Sequence, residues 1–179
     1  KVVGAEAFAP YVPIVLPPLL AAATREVKHS FTDIDADQVG DSAVQAQANT
    51  GVVTTAVNIR GVGTKQIQLN VTEMQERAQA VDALAQYIRL LGAHMAPHIN
   101  EMAQAMLPNL TYKLNNGIRK SSAACFANLV GAAAAAARVS AGGAAATQDS
   151  MKGVLELAQL GLDTLLRVVQ SEHNAETRQ

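Results

Sequence analysis

Five segments of the chain carry apolar residues at every third or fourth position, which is the spacing of one face of an α-helix. They cover residues 7–24, 72–91, 96–114, 118–139 and 148–169. The turns that join the last four segments are short, so consecutive helices are expected to lie antiparallel, as helical hairpins. The pattern predicts an all-α chain.

Two of these helices resemble each other. Ala9-Pro10-Tyr11-Val12 followed by Leu16-Pro17 recurs as Ala96-Pro97-His98-Ile99 followed by Leu107-Pro108, with four extra residues, about one helical turn, in the second copy. A repeat of helix pairs cannot bury its apolar faces alone and needs stacked neighbours. We therefore predict an α-α superhelix, an α-solenoid of the HEAT or armadillo type, of which residues 1–179 are a single segment.

The segment divides into parts of a repeat array. Its predicted parts are a second helix of a repeat (7–24), an insertion (25–71), one helical hairpin (72–114), the next hairpin (116–169) and the start of a following repeat (171–179). We expect the chain to be a fragment of a longer protein.

The insertion has two halves. Residues 25–50 are rich in short polar residues, glycines and acids, which indicates a loop. Its acidic residues are Asp33, Asp35, Asp37 and Asp41. Val52–Arg60 and Thr64–Asn70 carry β-branched residues in partial alternation around a Gly-Val-Gly turn, which is typical of a β-hairpin.

Local signals place the helix boundaries. Thr72 and Gln75 match a capping box, which satisfies backbone donors at a helix start. Gly92 is a natural helix stop. Pro17 and Pro18 predict a kink or an interruption in the first helix.

Composition excludes several classes of partner. The chain has 14 basic and 15 acidic residues, a net charge of -1, three Phe, three Tyr and no Trp. There is no global field or aromatic ladder for direct binding of nucleic acid. No uninterrupted apolar stretch approaches the ~20 residues that span a bilayer, so no membrane partner is predicted. The single Cys125 favours a reducing compartment.

Residues that could support catalysis or metal binding do not form a complete motif. His94, His98 and Glu101 have the spacing of a metal site on one helix face, but the zincin motif requires a glutamate where Met95 stands. Asp33, Asp35 and Asp37 match the first ligands of a calcium loop, but Gln38 and Val44 occupy its glycine and glutamate positions. We predict no metal, no cofactor and no enzymatic activity.

The order of several short motifs resembles the central HEAT repeats of the importin beta (karyopherin-beta) family of nuclear transport receptors, in particular its importin-five-like members. The matching features are Leu16-Pro17-Pro18-Leu19-Leu20, the acidic loop, Val57-Asn58-Ile59, Glu76-Arg77-Ala78 and the run from Asn116 to Ala124. Within that run, Asn116 and Arg119 match the HEAT position where an arginine forms a ladder to the neighbouring repeat, with Asn116 in place of the usual aspartate.

The resemblance implies that second helices line a concave surface that binds cargo through acids and amides. Carried onto this chain, the candidate contacts are Asn100, Glu101, Gln104, Asn109, Glu156 and Asp163. For each of them the alternative is a residue of a solvated polar face, and for any single residue that alternative is favoured.

The implied partners are cargo proteins with basic nuclear localisation signals and, through the full-length parent, Ran-GTP and nucleoporins. The implied location is the cytoplasm and nucleus, with shuttling through the nuclear pore. The alternative is a HEAT-repeat scaffold of another kind, such as a phosphatase regulatory subunit, which should lack the insertion.

Overall fold

A computed structural model of the chain describes residues 4–33, 44–47, 51–59, 63–141 and 148–171. Contacts divide the chain into two compact units. The helical unit comprises Lys1–Thr24 and Arg77–Gln179, and the sheet unit comprises Arg25–Glu76. The predicted start of a following repeat lies almost wholly outside the described residues, which end at Ser171.

The helices occur in the predicted order. They are α1 Ala5–Phe8, a 3-10 helix Ala9–Tyr11, α2 Val12–Thr24, α3 Val71–Leu91, a 3-10 helix Gly92–His98, α4 Ile99–Leu110, α5 Asn116–Ser140 and α6 Gln148–Ser171. In the helical unit, α4 packs against α2, α5 and α6, and α5 also packs against the second 3-10 helix and α6. The second hairpin, α5 with α6, is thereby joined to the first through α4.

Helix ends follow local chemistry at two positions. Gly92 has φ +51°, a left-handed backbone that suits glycine, and α3 stops immediately before it as predicted. Asn115 caps α5, because its Oδ1 accepts a hydrogen bond from the Ile118 backbone N–H at 3.1 Å.

The predicted interruption at Pro17 and Pro18 does not occur, because α2 is a single helix across both residues. Each proline removes one backbone donor and leaves the carbonyl four residues earlier, on Pro13 or Ile14, without its helical partner. All four residues are exposed, so water can bind those carbonyls.

The core of the helical unit is built from the predicted apolar stripes. Its fully buried large side chains include Val81, Leu84 and Ile88 on α3, Met102, Met106 and Leu110 on α4, and Ile118 and Leu129 on α5. Gly161 of α6 is buried, and a Cβ built on it would collide with the ring of Phe126. The two helices therefore approach closely at this glycine.

Helix α6 departs from its prediction. Its stripe was expected to form one inner face of Met151, Val154, Leu155, Ala158, Leu162, Leu165, Leu166 and Val169. Only Val154 of these is buried, while Leu155 is 64% and Leu162 57% exposed. At 100° per residue, Leu155, Leu162, Leu166 and Val169 form a second apolar face beside the one that packs on α5. The sequence pattern did not distinguish these two apolar faces.

The sheet unit holds a four-stranded antiparallel sheet. Its strands are β1 His29–Asp33, β2 Val44–Gln47, β3 Val52–Ile59 and β4 Gly63–Asn70, in the order β1-β4-β3-β2. The predicted hairpin is confirmed as β3 and β4, with Thr55 opposite Ile67. The loop predicted over residues 25–50 is wrong where β1 and β2 form, because these short segments gain their hydrogen bonds from the hairpin's two outer edges.

The start of α3 also differs from the predicted capping box at Thr72. The helix begins at Val71, and Asn70 is its cap, since Asn70 Oδ1 accepts the Glu73 backbone N–H at 3.1 Å. Glu73 Oε2 then accepts the Lys28 backbone N–H at 3.0 Å, and the Lys28 carbonyl accepts the Asn70 N–H. Arg25 Nη1 and Glu76 Oε2 form an ion pair at 2.7 Å. These contacts hold the two ends of the insertion together within the sheet unit.

In the described part of the chain, two helical stretches could cross a membrane by length and composition alone: Ala5–Thr24 and Asn116–Ser140. The prediction that no such stretch exists rested partly on an interruption at Pro17 and Pro18, which the structure does not show. Core helices of water-soluble proteins satisfy the same two criteria, so the pair is a weak indication of a membrane protein.

Candidate functional site

The exposed polar face of α4 and α6 carries most of the predicted contact residues. Asn100, Glu101 and Gln104 are exposed on α4, and Glu156 and Asp163 are exposed on α6. The two helices pack against each other within the helical unit. We call these five exposed side chains together the α4–α6 face.

Two charges on the α4–α6 face already have nearby partners. Glu101 Oε2 lies 3.9 Å from His98 Nδ1, and Glu156 Oε1 lies 3.9 Å from Lys152 Nζ. Such exposed pairs contribute little and rearrange readily. Asp163 forms no ion pair with any described residue. The acids of the face therefore lie beside the bases His98 and Lys152 and do not form one dense acidic patch.

An open groove of about 300 Å³ lies beside this face. Asn100 lines it together with Ile99 of α4 and Leu157 of α6. The rest of its wall is mainly small residues, namely Ala96, Ala133, Ala136, Ala137, Ser140, Gly153 and Val154. The small side chains leave the volume open, and Asn100 supplies a donor and an acceptor at its edge.

Asn109 is not a surface contact, contrary to prediction. It is 0% exposed, and its side chain is fully hydrogen-bonded inside the helical unit. Asn109 Nδ2 donates to the Ala23 carbonyl at 3.0 Å and the Ala105 carbonyl at 2.9 Å, and its Oδ1 accepts from Arg77 Nε at 2.8 Å. A side chain in this position joins α2, α3 and α4 and cannot reach a partner protein.

Arg77 continues this buried network. It is 6% exposed, and its guanidinium carbon lies 4.2 Å from the ring centre of Tyr112. Burial lowers the pKa of Arg77, partly offset by the nearby Tyr112. Burial likewise raises the pKa of Tyr112, an effect that Arg77 reduces. The arginine stays charged, so Asn109 Oδ1 is the acceptor of a charge-assisted hydrogen bond.

The predicted ladder pair, Asn116 and Arg119, lies at the start of α5. Arg119 Nη2 donates to Asn116 Oδ1 at 3.3 Å, and its Nη1 donates to the Tyr112 carbonyl at 2.9 Å. Arg119 is 9% exposed. These bonds fix the turn between α4 and α5, and a ladder to a neighbouring repeat stays a prediction.

Cys125 is not available for nucleophilic chemistry. Its side chain is 0% exposed, and burial raises the pKa of its thiol to about 12. At neutral pH the group is therefore a protonated thiol packed in the core of the helical unit.

The remaining predicted positions carry no site within the described part of the chain. No group of three or more His, Cys, Asp or Glu that could hold a metal occurs among the described residues. Asp33 ends β1, and Asp35, Asp37 and Asp41 of the predicted acidic loop lie outside the described residues.

Comparison with known proteins identifies the fold. No protein-family model matches the sequence, and no curated protein matches it. The structure of Kap121p bound to RanGTP aligns with 93% of this chain at a TM-score of 0.58 and 22% sequence identity. Kap121p bound to Nup53p aligns equally well, and the karyopherin Kap121p bound to the extreme C-terminus of the protein phosphatase Cdc14p aligns with a TM-score of 0.57.

The likeness covers only 16% of the Kap121p chain. At this level of identity it shows the fold alone, which is an α-solenoid of the HEAT-repeat type. The predicted all-α superhelix is thereby confirmed.

Proposed function

We propose that this chain is a segment of an importin-five-like karyopherin-beta nuclear import receptor, which binds cargo proteins and releases them when Ran-GTP binds. The observation that carries the proposal is the alignment of 93% of the chain with Kap121p. The solved Kap121p structures include complexes with RanGTP, Nup53p, Ste12p and Pho4p. Such a role is one of binding rather than catalysis, and it places the parent protein in the cytoplasm and nucleus.

The two apolar faces of α6 support a place within a longer array. One face packs on α5 through Val154 and Gly161. The other exposes Leu155, Leu162 and Leu166 at 64%, 57% and 50%. A helix with one apolar face needs one neighbour, and a helix with two needs a second. The next hairpin of a solenoid would supply it.

The α4–α6 face is the proposed cargo-binding surface. Exposed carboxylates at Glu101 and Asp163 suit lysine or arginine side chains, and Asn100 can bond the backbone of an extended peptide at the edge of the groove. A partner with basic residues separated by small apolar ones fits this arrangement. Nucleic acid does not, because the three carboxylates of the face, Glu101, Glu156 and Asp163, repel phosphate groups.

Binding of a fluorescent lysine-rich localisation peptide, measured by anisotropy at low and moderate salt, tests this surface. Glu101→Lys and Asp163→Lys should each weaken binding about two- to fivefold, because each reverses one exposed charge. Asp82→Lys is the matched control, since Asp82 is an exposed acid on α3 and the same charge change there should leave affinity unaltered. Equal affinities of all three variants would contradict the assignment.

Binding of purified partner proteins distinguishes an import receptor from the alternative, a HEAT-repeat scaffold of another kind. Ran-GTP and a phosphatase catalytic subunit are each titrated onto the full-length parent, with Ran-GDP as the control nucleotide state. An import receptor binds Ran-GTP and then loses its cargo peptide. Binding of the phosphatase subunit, with no response to Ran-GTP, would replace the transport proposal with the alternative.

A further inference from the structure

The sheet unit contains a cavity of its own. Its volume is about 200 Å³, and it is lined by Lys28, His29, Ser30, Val52, Gln68 and Asn70. These residues come from the segment before β1, from β1 itself, and from β3 and β4. A water molecule occupies ~30 Å³ in the liquid, so the cavity holds a group of several non-hydrogen atoms.

The side chains around this cavity offer mainly donors. Asn70 Oδ1 already accepts the Glu73 backbone N–H at 3.1 Å, and Gln68 Oε1 accepts the Ser30 hydroxyl at 3.4 Å. Because both side-chain amide oxygens already accept a hydrogen bond, the amide atoms that remain available are Nδ2 of Asn70 and Nε2 of Gln68. Neither nitrogen has an acceptor among the described residues. Each is therefore a donor with bonding capacity to spare.

Positive charge is also present at the cavity. Lys28 is exposed, and its ammonium forms no ion pair with any described residue. His29 Nδ1 lies 3.0 Å from the Val27 carbonyl, which can only accept, so that nitrogen carries its proton. Among the described residues, no carboxylate lines the cavity.

The nearby acids set a limit on affinity. The Glu73 carboxylate is held by the Lys28 backbone N–H, and the sheet unit has four basic and seven acidic residues, a net charge of −3. This field opposes an anion at long range. Salt screens it beyond about 8 Å at physiological ionic strength, so short-range donors decide binding inside the cavity.

We propose that this cavity binds a phosphoryl group through Lys28, Gln68 and Asn70. A phosphoryl group carries nearly two negative charges and three strong acceptor oxygens, which match one ammonium and two amide donors. Its source is either free phosphate or a phosphorylated side chain of a partner protein. The proposal is independent of the transport function.

Two-dimensional amide NMR of the full chain tests the proposal with inorganic phosphate as the probe. Sodium phosphate is titrated against sodium chloride at equal ionic strength, and the side-chain amides of Gln68 and Asn70 are followed. Saturable shifts of these signals with phosphate but not chloride are expected. Shifts that are absent, or that rise linearly to the same extent with both salts, overturn it.

Variants of Lys28 test whether its positive charge contributes to phosphate binding. Lys28→Gln should weaken phosphate binding about five- to tenfold, because one exposed charge-assisted contact is lost, and Lys28→Arg should restore most of it. Lys113→Gln, an exposed lysine in the helical unit, is the control and should leave affinity unchanged. The Lys28 backbone bonds persist in both variants, and unchanged thermal melting verifies this. Equal loss in Lys28→Gln and Lys113→Gln would refute a defined site.

A capped phosphoserine peptide and its unphosphorylated form distinguish the two sources. Binding of the phosphopeptide at least tenfold tighter than inorganic phosphate assigns the site to a phosphorylated partner. Equal or weaker binding assigns it to free phosphate. Equal binding of the phosphorylated and unphosphorylated peptides counts against the proposal.

Discussion

Replacing Asn109 with leucine is the sharpest test of the buried network that joins α2, α3 and α4. Leucine has the same number of non-hydrogen side-chain atoms and the same branching as asparagine, so the change removes the hydrogen bonds while keeping a similar side-chain shape. Arg77 Nε loses its 2.8 Å acceptor, which costs about 1.5–3 kcal/mol for a buried charged donor. The Ala23 carbonyl, in the last turn of α2, loses its 3.0 Å donor, which costs about a further 1–2 kcal/mol.

Burial of the new apolar side chain offsets about 1 kcal/mol of this loss. The net expectation for Asn109→Leu is a loss of about 2–4 kcal/mol in the free energy of unfolding, among the larger effects of a single substitution. Urea unfolding at 25 °C, followed by far-ultraviolet circular dichroism, measures it. Asn100→Leu makes the same chemical change on the exposed side of the same helix and should stay within about 0.5 kcal/mol of the parent chain.

A double-mutant cycle with Arg77→Met isolates the pair itself. If the Arg77 and Asn109 side chains stabilise the unit through their mutual bond, the double variant should be less destabilised than the sum of the single variants by about 1–2 kcal/mol. A loss below 0.5 kcal/mol for Asn109→Leu, or strictly additive effects, would refute the role assigned to this residue.

Four further predictions concern close packing and the buried thiol. Gly161→Ala should lower the free energy of unfolding by about 1–3 kcal/mol in denaturant titration despite alanine's higher helix propensity, because its Cβ meets the buried Phe126 ring. Gly51→Ala should lower the melting temperature measured by circular dichroism, because φ is +63° there and the added Cβ meets the Thr72 side chain. Cys125 should react with a disulfide reagent at pH 8 only after unfolding, since its thiol pKa is raised to about 12. Because the ordinary thiol pKa is 9.0, the unfolded chain ionises first, so stability should fall as pH rises from 9 toward 12.

Sequence periodicity predicted the helices well because each buried face repeats within a single element. The end of α3 before Gly92 and the start of α6 at Gln148 agree with prediction. Strand β1 was missed because His29–Asp33 shows no alternation of its own and gains its hydrogen bonds from β4, more than thirty residues later in the chain. Pairing of this kind leaves little local trace in sequence.

The sequence contained a signal that Asn109 is buried, although the prediction placed it on the surface. Asn109 follows Met102 by seven residues and Met106 by three, which places it on their buried face rather than on the face of Asn100 and Gln104. Its polarity and the resemblance to cargo-binding second helices suggested a surface role. A polar residue within an apolar stripe is better interpreted as a satisfied core residue when its partners can come from neighbouring helices, as they do here.

The buried network also explains how the helical stack accommodates the insertion. The chain leaves the helical unit after Thr24 and returns to it at Arg77. The insertion therefore interrupts the sequence of the helical unit between these two residues. Asn109 bonds both sides of that break, through the Ala23 carbonyl and the Arg77 side chain. Within the sheet unit, the Arg25–Glu76 ion pair closes the same two ends. Each unit holds together its own two chain ends at the junction. The inserted sequence therefore adds little to the entropic cost of bringing the two parts of the helical unit together. Loss of Asn109 therefore acts on α2, α3 and α4 at once.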